Sequence, residues 1–153
     1  MPCIAGNYNP AVGVLLQVAI LPPSQLAAVS AQQQQPSTLQ NLTMFNGLVD
    51  TGASATCISK NVVQTVGLQP SGKTSMGGST GASVVDQYSF VVGFLFGQQQ
   101  APTGAISAHL HAYLVQGCEF TSHGFGFDVL IGRDILCKGT LSLSFDGHYV
   151  LSF

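Results

Sequence analysis

The chain has 153 residues, 46% of them apolar and only 7% charged, with a formal net charge of −2. That length fits one domain with a substantial core, and the apolar content excludes disorder over most of the chain. Three lysines and one arginine cannot build a basic patch, which excludes nucleic acid as a partner.

The N-terminal stretch "MPCIAGNYNP" (residues 1–11 form an arm) has neither a basic n-region nor an apolar h-region, so no secretory signal is visible. The longest apolar runs, "VGVLLQVAIL" and "FVVGFLF", are too short to cross a membrane and read as buried strands. The expectation is a chain with no membrane partner and a cytoplasmic location. Short β-branched and aromatic runs punctuated by Gly, Ser, Pro and Gln mark a mostly-β domain.

Val12–Leu21 reads as the first strand. In "PPSQLAAVSAQQQQP", Ser24 is placed to cap a helix over 25–33, which Pro36 would end, with the Gln run at 32–35 as its solvated end. "STLQNLTMFNGLVD" (37–50) returns as a strand with a turn or bulge near Asn46–Gly47. "ISKNVVQTVGLQP" predicts a short helix capped by Ser59, stapled by Ile58 onto Val63 and stopped by a left-handed Gly67. "GKTSMGGSTGASV" reads as a hairpin with a mobile tip.

From Val84 to Phe96 apolar residues fall on both alternating faces, which predicts a long strand covered on both sides. "GQQQAPTG" reads as a loop and "AISAHLHAYLVQ" as a strand. "FDVLIGRDIL" runs an apolar strand into Gly132 and then a short helix through Lys138, closed by Gly139. "LSLSFDGHYVLSF" predicts a hairpin around Asp146–Gly147, a pair that favours a type I′ turn. That turn would set Phe145 opposite His148, Ser144 opposite Tyr149 and Leu143 opposite Val150. Both faces of the hairpin are then partly apolar, and the stripe Tyr149, Leu151, Phe153 is assigned to a subunit contact.

Cys3, Cys57, Cys118 and Cys137 show no metal-ligand spacing and are expected as buried free thiols in a reducing compartment. Cys57 is read as buried rather than nucleophilic. His109 and His111 share one strand face, but no cysteine or carboxylate lies near them in sequence, so neither a metal nor a cofactor is expected. His123 reads as a loop residue, and Asp128, Asp134 and Asp146 as structural or turn residues.

The chain has only six carboxylate side chains, yet Asp50 ends an apolar strand in "NGLVDTGASATCIS". Together "LVDTGAS" and "DVLIGRDIL" resemble the signature pair of retropepsin-like aspartic proteases, the single-domain relatives of pepsin. The Gly-rich "MGGSTG" stands where that family has its flap, and "GTLSLSFDGHYVLSF" is similar to its closing hairpin. The resemblance runs from about Val12 onward and is nearest to bacterial members with an insertion before the Asp strand. It implies a mostly-β closed barrel or sandwich over 12–153 with one or two short helices, an insertion at about 22–36 and a flap at about 72–84. It also implies one active site per homodimer, with the N-terminal arm placed at the dimer interface.

Residue by residue, the resemblance makes Asp50 (one per subunit), Thr51 and Gly52 the catalytic loop. Two Asp50 carboxylates in contact would share one proton and activate a water against a peptide bond. Thr51 would reach the partner loop, and Gly52 would permit its close approach. Ala53, Met76, Gly77, Gly78 and Leu130 would bind a peptide or protein substrate, with Leu130 lining a primary specificity pocket for apolar residues. Ser54, Gly132 and Arg133 would be structural at the site, Arg133 tying its helix to the Asp loop and the dimer contact. Viral members carry an acid where this chain has Ser54 and Ala55, which removes the expected carboxylate partner of Arg133. That departure and the sparse charge leave a second reading, a catalytically silent dimerisation or peptide-binding module of the same fold.

Overall fold

Val91 and Val92 are neighbours in sequence, and both are fully buried. Successive strand residues point to opposite faces, so this strand has packed layers on both sides. It belongs to a computed structural model that describes residues 2–32, 37–38, 42–78, 81–100, 106–121 and 124–153.

In chain order the strands are β1 (Cys3–Asn7), β2 (Leu15–Leu21), β3 (Ser37–Thr38), β4 (Met44–Val49), β5 (Cys57–Ser59), β6 (Pro70–Gly78), β7 (Gly81–Gln100), β8 (Ile106–Phe120), β9 (Val129–Ile131), β10 (Thr140–Leu143) and β11 (His148–Ser152). The helices are α1 (Leu26–Gln32), α2 (Lys60–Val66) and α3 (Arg133–Leu136). One sheet runs β3-β8-β5-β9-β4-β2-β7-β6, and the additional β7–β8 pairing closes six of its strands into a barrel. A second sheet, β1-β11-β10, lies beside it. The mostly-β closed barrel with few short helices agrees with the sequence expectation.

Tyr88, Phe90, Val92, Phe94 and Phe96 point from β7 into the main core, where Val18, Ile58, Val129, Ile131 and Ile135 meet them. On the opposite face, Val91 packs with Leu21, Val29 and Leu110 under α1. Full burial of each such side chain is worth about 1.5–3 kcal/mol. The region at 22–36 thus supplies a lid for one barrel face as far as Gln32, and residues 33–36 lie outside the described residues.

Several local expectations need correction. A 3₁₀ turn at Pro23–Gln25 opens the helix, with Pro22 at its N-cap, so Ser24 lies inside the turn and caps nothing. Two prolines fix the entry conformation there without help from a side-chain cap. Asn46 and Gly47 form no bulge; they pair in continuous register with Gln17 and Leu16. Gly47 faces Ile131, whose side chain occupies the space a Cβ would need. The stretch read as a loop after Phe96 stays in β7 through Gln100, with a register shift between Phe96 and Gln99. The N-terminal arm contains β1, which pairs antiparallel with β11 of the same chain. Helix α2 follows the expectation: the Ser59 hydroxyl accepts from Val62 N–H, and Gly67 ends it in the left-handed region.

The C-terminal hairpin is one residue out of the expected register, with Leu143 opposite Tyr149 and Ser142 opposite Val150. Ser144 N–H donates to His148 O at 2.9 Å, which leaves a three-residue loop closed by Gly147 at φ 84°. The Ser144 hydroxyl donates to the Asp146 carboxylate and accepts from His148 N–H. Those local bonds favour the three-residue loop over the two-residue turn that Asp-Gly alone suggests. Tyr149 and Leu151 are core residues of this chain, and Phe153 packs against Phe94 with ring centroids 4.8 Å apart and the planes tilted by 45°. The stripe assigned to a subunit contact is therefore internal. The exposed apolar residues of the hairpin are instead Leu143, Phe145 and Val150.

Candidate active site

The parallel pairing of β4 with β9 brings the two sequence motifs together, Val49 lying opposite Ile131. Each strand then leaves the sheet at the same level, one into Asp50 and the other into Gly132. Asp50 N–H donates to Ile131 O at 3.0 Å, and Arg133 N–H donates to Ala53 O at 3.0 Å. The Asp50 carboxylate is held from below: its Oδ1 accepts Gly52 N–H at 2.7 Å and Ala53 N–H at 3.2 Å. Oδ2 has no partner among the described residues and is open to the cleft. Two backbone donors fix the plane of the carboxylate.

Behind this loop lies a buried polar knot. Thr56, fully buried, donates its N–H to Asp134 Oδ2 at 3.0 Å and its hydroxyl to Asp134 Oδ1 at 2.7 Å. The same hydroxyl oxygen accepts Gly132 N–H at 3.0 Å. The backbones touch here, since a Cβ on Gly132 would lie 2.5 Å from the Ala55 carbonyl carbon. On the other side, a Cβ on Gly117 of β8 would lie 1.9 Å from Thr56 O. The Asp loop is thus clamped between α3 and β8 by contacts that only glycine permits.

A cleft of about 510 Å³ opens above the loop. Asp50, Gly52, Ala53 and Ser54 line its floor with Leu130, while Thr74, Ser75, Met76 and Gly77 of β6 form the opposite wall. Gln87, Gln116, Cys57 and Cys118 complete it, and Asp50 is the single carboxylate among the lining residues. Next to the cleft, Leu130, Cys57 and Met76 share with Phe120, Phe125 and Phe127 an apolar cavity of about 220 Å³.

Of the residues singled out in the sequence, Asp50, Gly52, Ala53, Ser54, Met76, Gly77 and Leu130 therefore meet at one cleft. Gly78 pairs with Gly81 at the end of the β6–β7 hairpin, whose tip residues 79–80 lie outside the described residues. Thr51 is exposed beside Asp50. The Arg133 side chain is exposed and makes no ion pair among the described residues; its backbone and the Asp134 carboxylate carry the tie between α3 and the Asp loop. His111 sits in an aromatic cluster, stacked on Phe153 at 6.0 Å, where burial lowers its pKa. His123 lies outside the described residues. No group of three or more metal-ligating His, Cys, Asp or Glu side chains occurs among the described residues, and no helix among them is long and apolar enough to cross a membrane.

Sequence reasoning missed Thr56, Gly117 and the Cys57–Cys118 contact. All four cysteines are free, but Cys3 and Cys137 are exposed, against the expectation of burial. Cys57 and Cys118 are buried with Sγ atoms 3.2 Å apart.

The family model described as "Aspartyl protease" matches residues 36–135, a span that includes "LVDTGAS", all but the last residue of "DVLIGRDIL", the β6–β7 hairpin and the cleft walls. No curated protein matches the chain. Among solved structures, a retropepsin-like aspartic protease from Rickettsia conorii is similar at 12% identity and a TM-score of 0.46, over 97% of this chain and 89% of that one.

Proposed function

The chain belongs to the aspartyl protease family, and from that premise we propose that it is an endopeptidase whose catalytic centre is completed by a second copy of the chain. One observation carries this reading: the cleft holds a single carboxylate, Asp50, with one oxygen anchored and the other open. Hydrolysis of a peptide bond by carboxylates alone needs two of them. One ionised group takes a proton from water, and one protonated group polarises the carbonyl. A chain with one Asp-Thr-Gly supplies half of that pair.

The exposed Thr51 and Gly52 leave the loop accessible to its twin across a two-fold axis. Two Asp50 carboxylates brought into contact would share one proton. The nucleophile is the water between them. As it attacks, its proton passes to the ionised Asp50 while the protonated partner donates to the carbonyl oxygen. Collapse of the tetrahedral intermediate returns a proton to the leaving amine. Thr51 would fix the two loops against each other, and the N-terminal arm and C-terminal hairpin are the nearest candidates to build the rest of the contact. Exposed Leu143, Phe145 and Val150 supply the apolar surface for it.

Substrate would lie extended between the Asp loop and β6. Met76, Gly77 and Gly78 offer it an edge strand, because β6 pairs only with β7 among the described residues. Leu130 and the phenylalanine-lined cavity beside it favour apolar residues around the cut. Ser54 lines the floor and Gly132 backs the loop behind it, with Arg133 positioned by its backbone.

The exposed Arg133 side chain is the observation that favours the second reading, a silent dimerisation or peptide-binding module. Incubation with an unfolded protein at mildly acidic pH separates the two. The endopeptidase reading predicts cleavage that a statine-type transition-state mimic blocks and Asp50→Asn abolishes. Cleavage retained by Asp50→Asn would refute it, and peptide binding without turnover would favour the silent module.

A further inference from the structure

The cleft contains three sulfur atoms that the proteolytic chemistry does not use. Cys57 Sγ lies 3.2 Å from Cys118 Sγ, and Cys118 Sγ lies 3.5 Å from Met76 Sδ. The first two come from neighbouring parallel strands. Ile58 of β5 pairs with Glu119 of β8, so Cys57 and Cys118, one residue earlier on each strand, stand side by side. Neighbouring strands are spaced about 4.7–4.9 Å apart, inside the Cα separation of about 4.4–6.8 Å that a disulfide requires. The thiols already touch. Gly117 and Thr56, pressed together one residue before each cysteine, hold the two strands in place.

We propose that Cys57 and Cys118 form a reversible dithiol–disulfide site in the wall of the cleft, oxidised by hydroperoxides, and that its state controls the hold of Met76 on substrate.

The chemistry balances with a hydroperoxide as the two-electron oxidant. The Cys118 thiolate attacks the O–O bond, giving a sulfenic acid and releasing an alcohol, or water when the oxidant is hydrogen peroxide. Cys57 then attacks the sulfenic sulfur, and its proton leaves with the hydroxyl group as water. The sum is two thiols and one hydroperoxide giving one disulfide, one alcohol and one water. A hydrogen bond from Cys57 pulls the Cys118 pKa down to about 7, which supplies the attacking thiolate, while Cys57 is pushed up chiefly by its bond to Cys118 and then by burial. The charged groups around the pair are acidic: Asp50 in the same cleft, Asp134 from α3, and Glu119 on β8, which accepts the Tyr88 hydroxyl at 3.1 Å. None of them would hold the thiolate, so its stabilisation rests on Cys57.

In the reduced pair, while Cys118 is protonated, it donates its S–H to the Met76 thioether. Oxidation removes that proton and draws the two sulfurs away from Met76, loosening the strand that covers substrate. The site itself does not depend on catalysis; its effect on turnover rests on the proteolytic reading.

The test treats the full chain with hydrogen peroxide and maps thiols after unfolding. Loss of two hydrogens as a Cys57–Cys118 disulfide, restored by dithiothreitol and retained when Cys3 and Cys137 are both changed to Ser, is expected. In Cys57→Ser, Cys118 should accumulate as a sulfenic acid trapped by a 1,3-dione. Oxidation confined to Cys3 and Cys137, with Cys57 and Cys118 still thiols, would overturn the site. Peptide KM should rise several-fold on oxidation and return on reduction; an unchanged KM with the disulfide mapped would overturn the control of Met76. A mapped disulfide in a chain without peptidase activity would uphold the site and sink only the proteolytic reading.

Discussion

The two walls of the cleft are held by opposite means. The Asp50 wall is cross-braced: Thr56 and Asp134 join α3 to the loop, and Gly132 and Gly117 let three backbones touch. Among the described residues the β6 wall is an edge strand paired only with β7, and Ser75 and Gly77 are exposed on it. The ion pair from Lys73 Nζ to Asp86 of β7, at 3.2 Å, is largely solvent-exposed and adds little. On the proposed reading the difference matches the task of each wall. Carboxylates that share a proton must be fixed to a fraction of an ångström, whereas a wall that admits and covers a peptide has to move.

Substitutions on the braced wall should therefore be severe and those on the free wall mild. The largest effect is expected at Asp50. Asp50→Asn keeps an oxygen to accept Gly52 and Ala53 N–H, so the melting temperature should hardly change while turnover falls about 10²–10⁴-fold or more. A matching loss of stability would mean that Asp50 is a structural turn residue. Gly132→Ala drives a methyl into the Ala55 carbonyl and should cost about 1–3 kcal/mol in denaturant unfolding, with loss of activity. Asp134→Ala leaves the buried Thr56 N–H and hydroxyl without their acceptor, again about 1–3 kcal/mol, and turnover should fall with it.

Met76→Ala should shift stability by less than about 1 kcal/mol, because the half-buried side chain fills no closed core, and raise KM more than it lowers kcat. Equal stability losses on the two walls would erase the contrast. The smallest effect concerns pH. The rate of peroxide oxidation at Cys118 should rise as pH increases through about 7, because the thiolate is the reacting form and its fraction grows there. A flat rate between pH 6 and 8 (roughly one unit either side of that value) would show that Cys118 does not lead the oxidation.

Much of the braced wall was legible in the sequence for a definite reason. Asp50 and Gly132 each end a short apolar strand, and a residue pattern that closes a strand is local. The depth of β7 was also legible, because unbroken apolar alternation records burial on both faces. What joins these pieces was not. Thr56 meets Asp134 across 78 positions and Cys57 meets Cys118 across 61. Neither contact leaves a periodic trace, since each depends on β5 inserting between β8 and β9. The hairpin register failed for a different reason: Asp-Gly states a turn preference, but the Ser144 hydroxyl recaptures Asp146 and His148 and lengthens the loop. The internal stripe at Tyr149 and Leu151 was misassigned because an apolar face looks the same whether its cover comes from the same chain or from another.

Whether half a centre becomes a whole one by pairing can be read from mixtures. Wild-type chain refolded together with increasing amounts of Asp50→Asn should lose activity per wild-type chain in proportion to the wild-type fraction, because each mixed pair holds one carboxylate. Activity per wild-type chain that stays constant at every ratio would mean that a single chain carries the whole chemistry, and the shared centre would have to be abandoned.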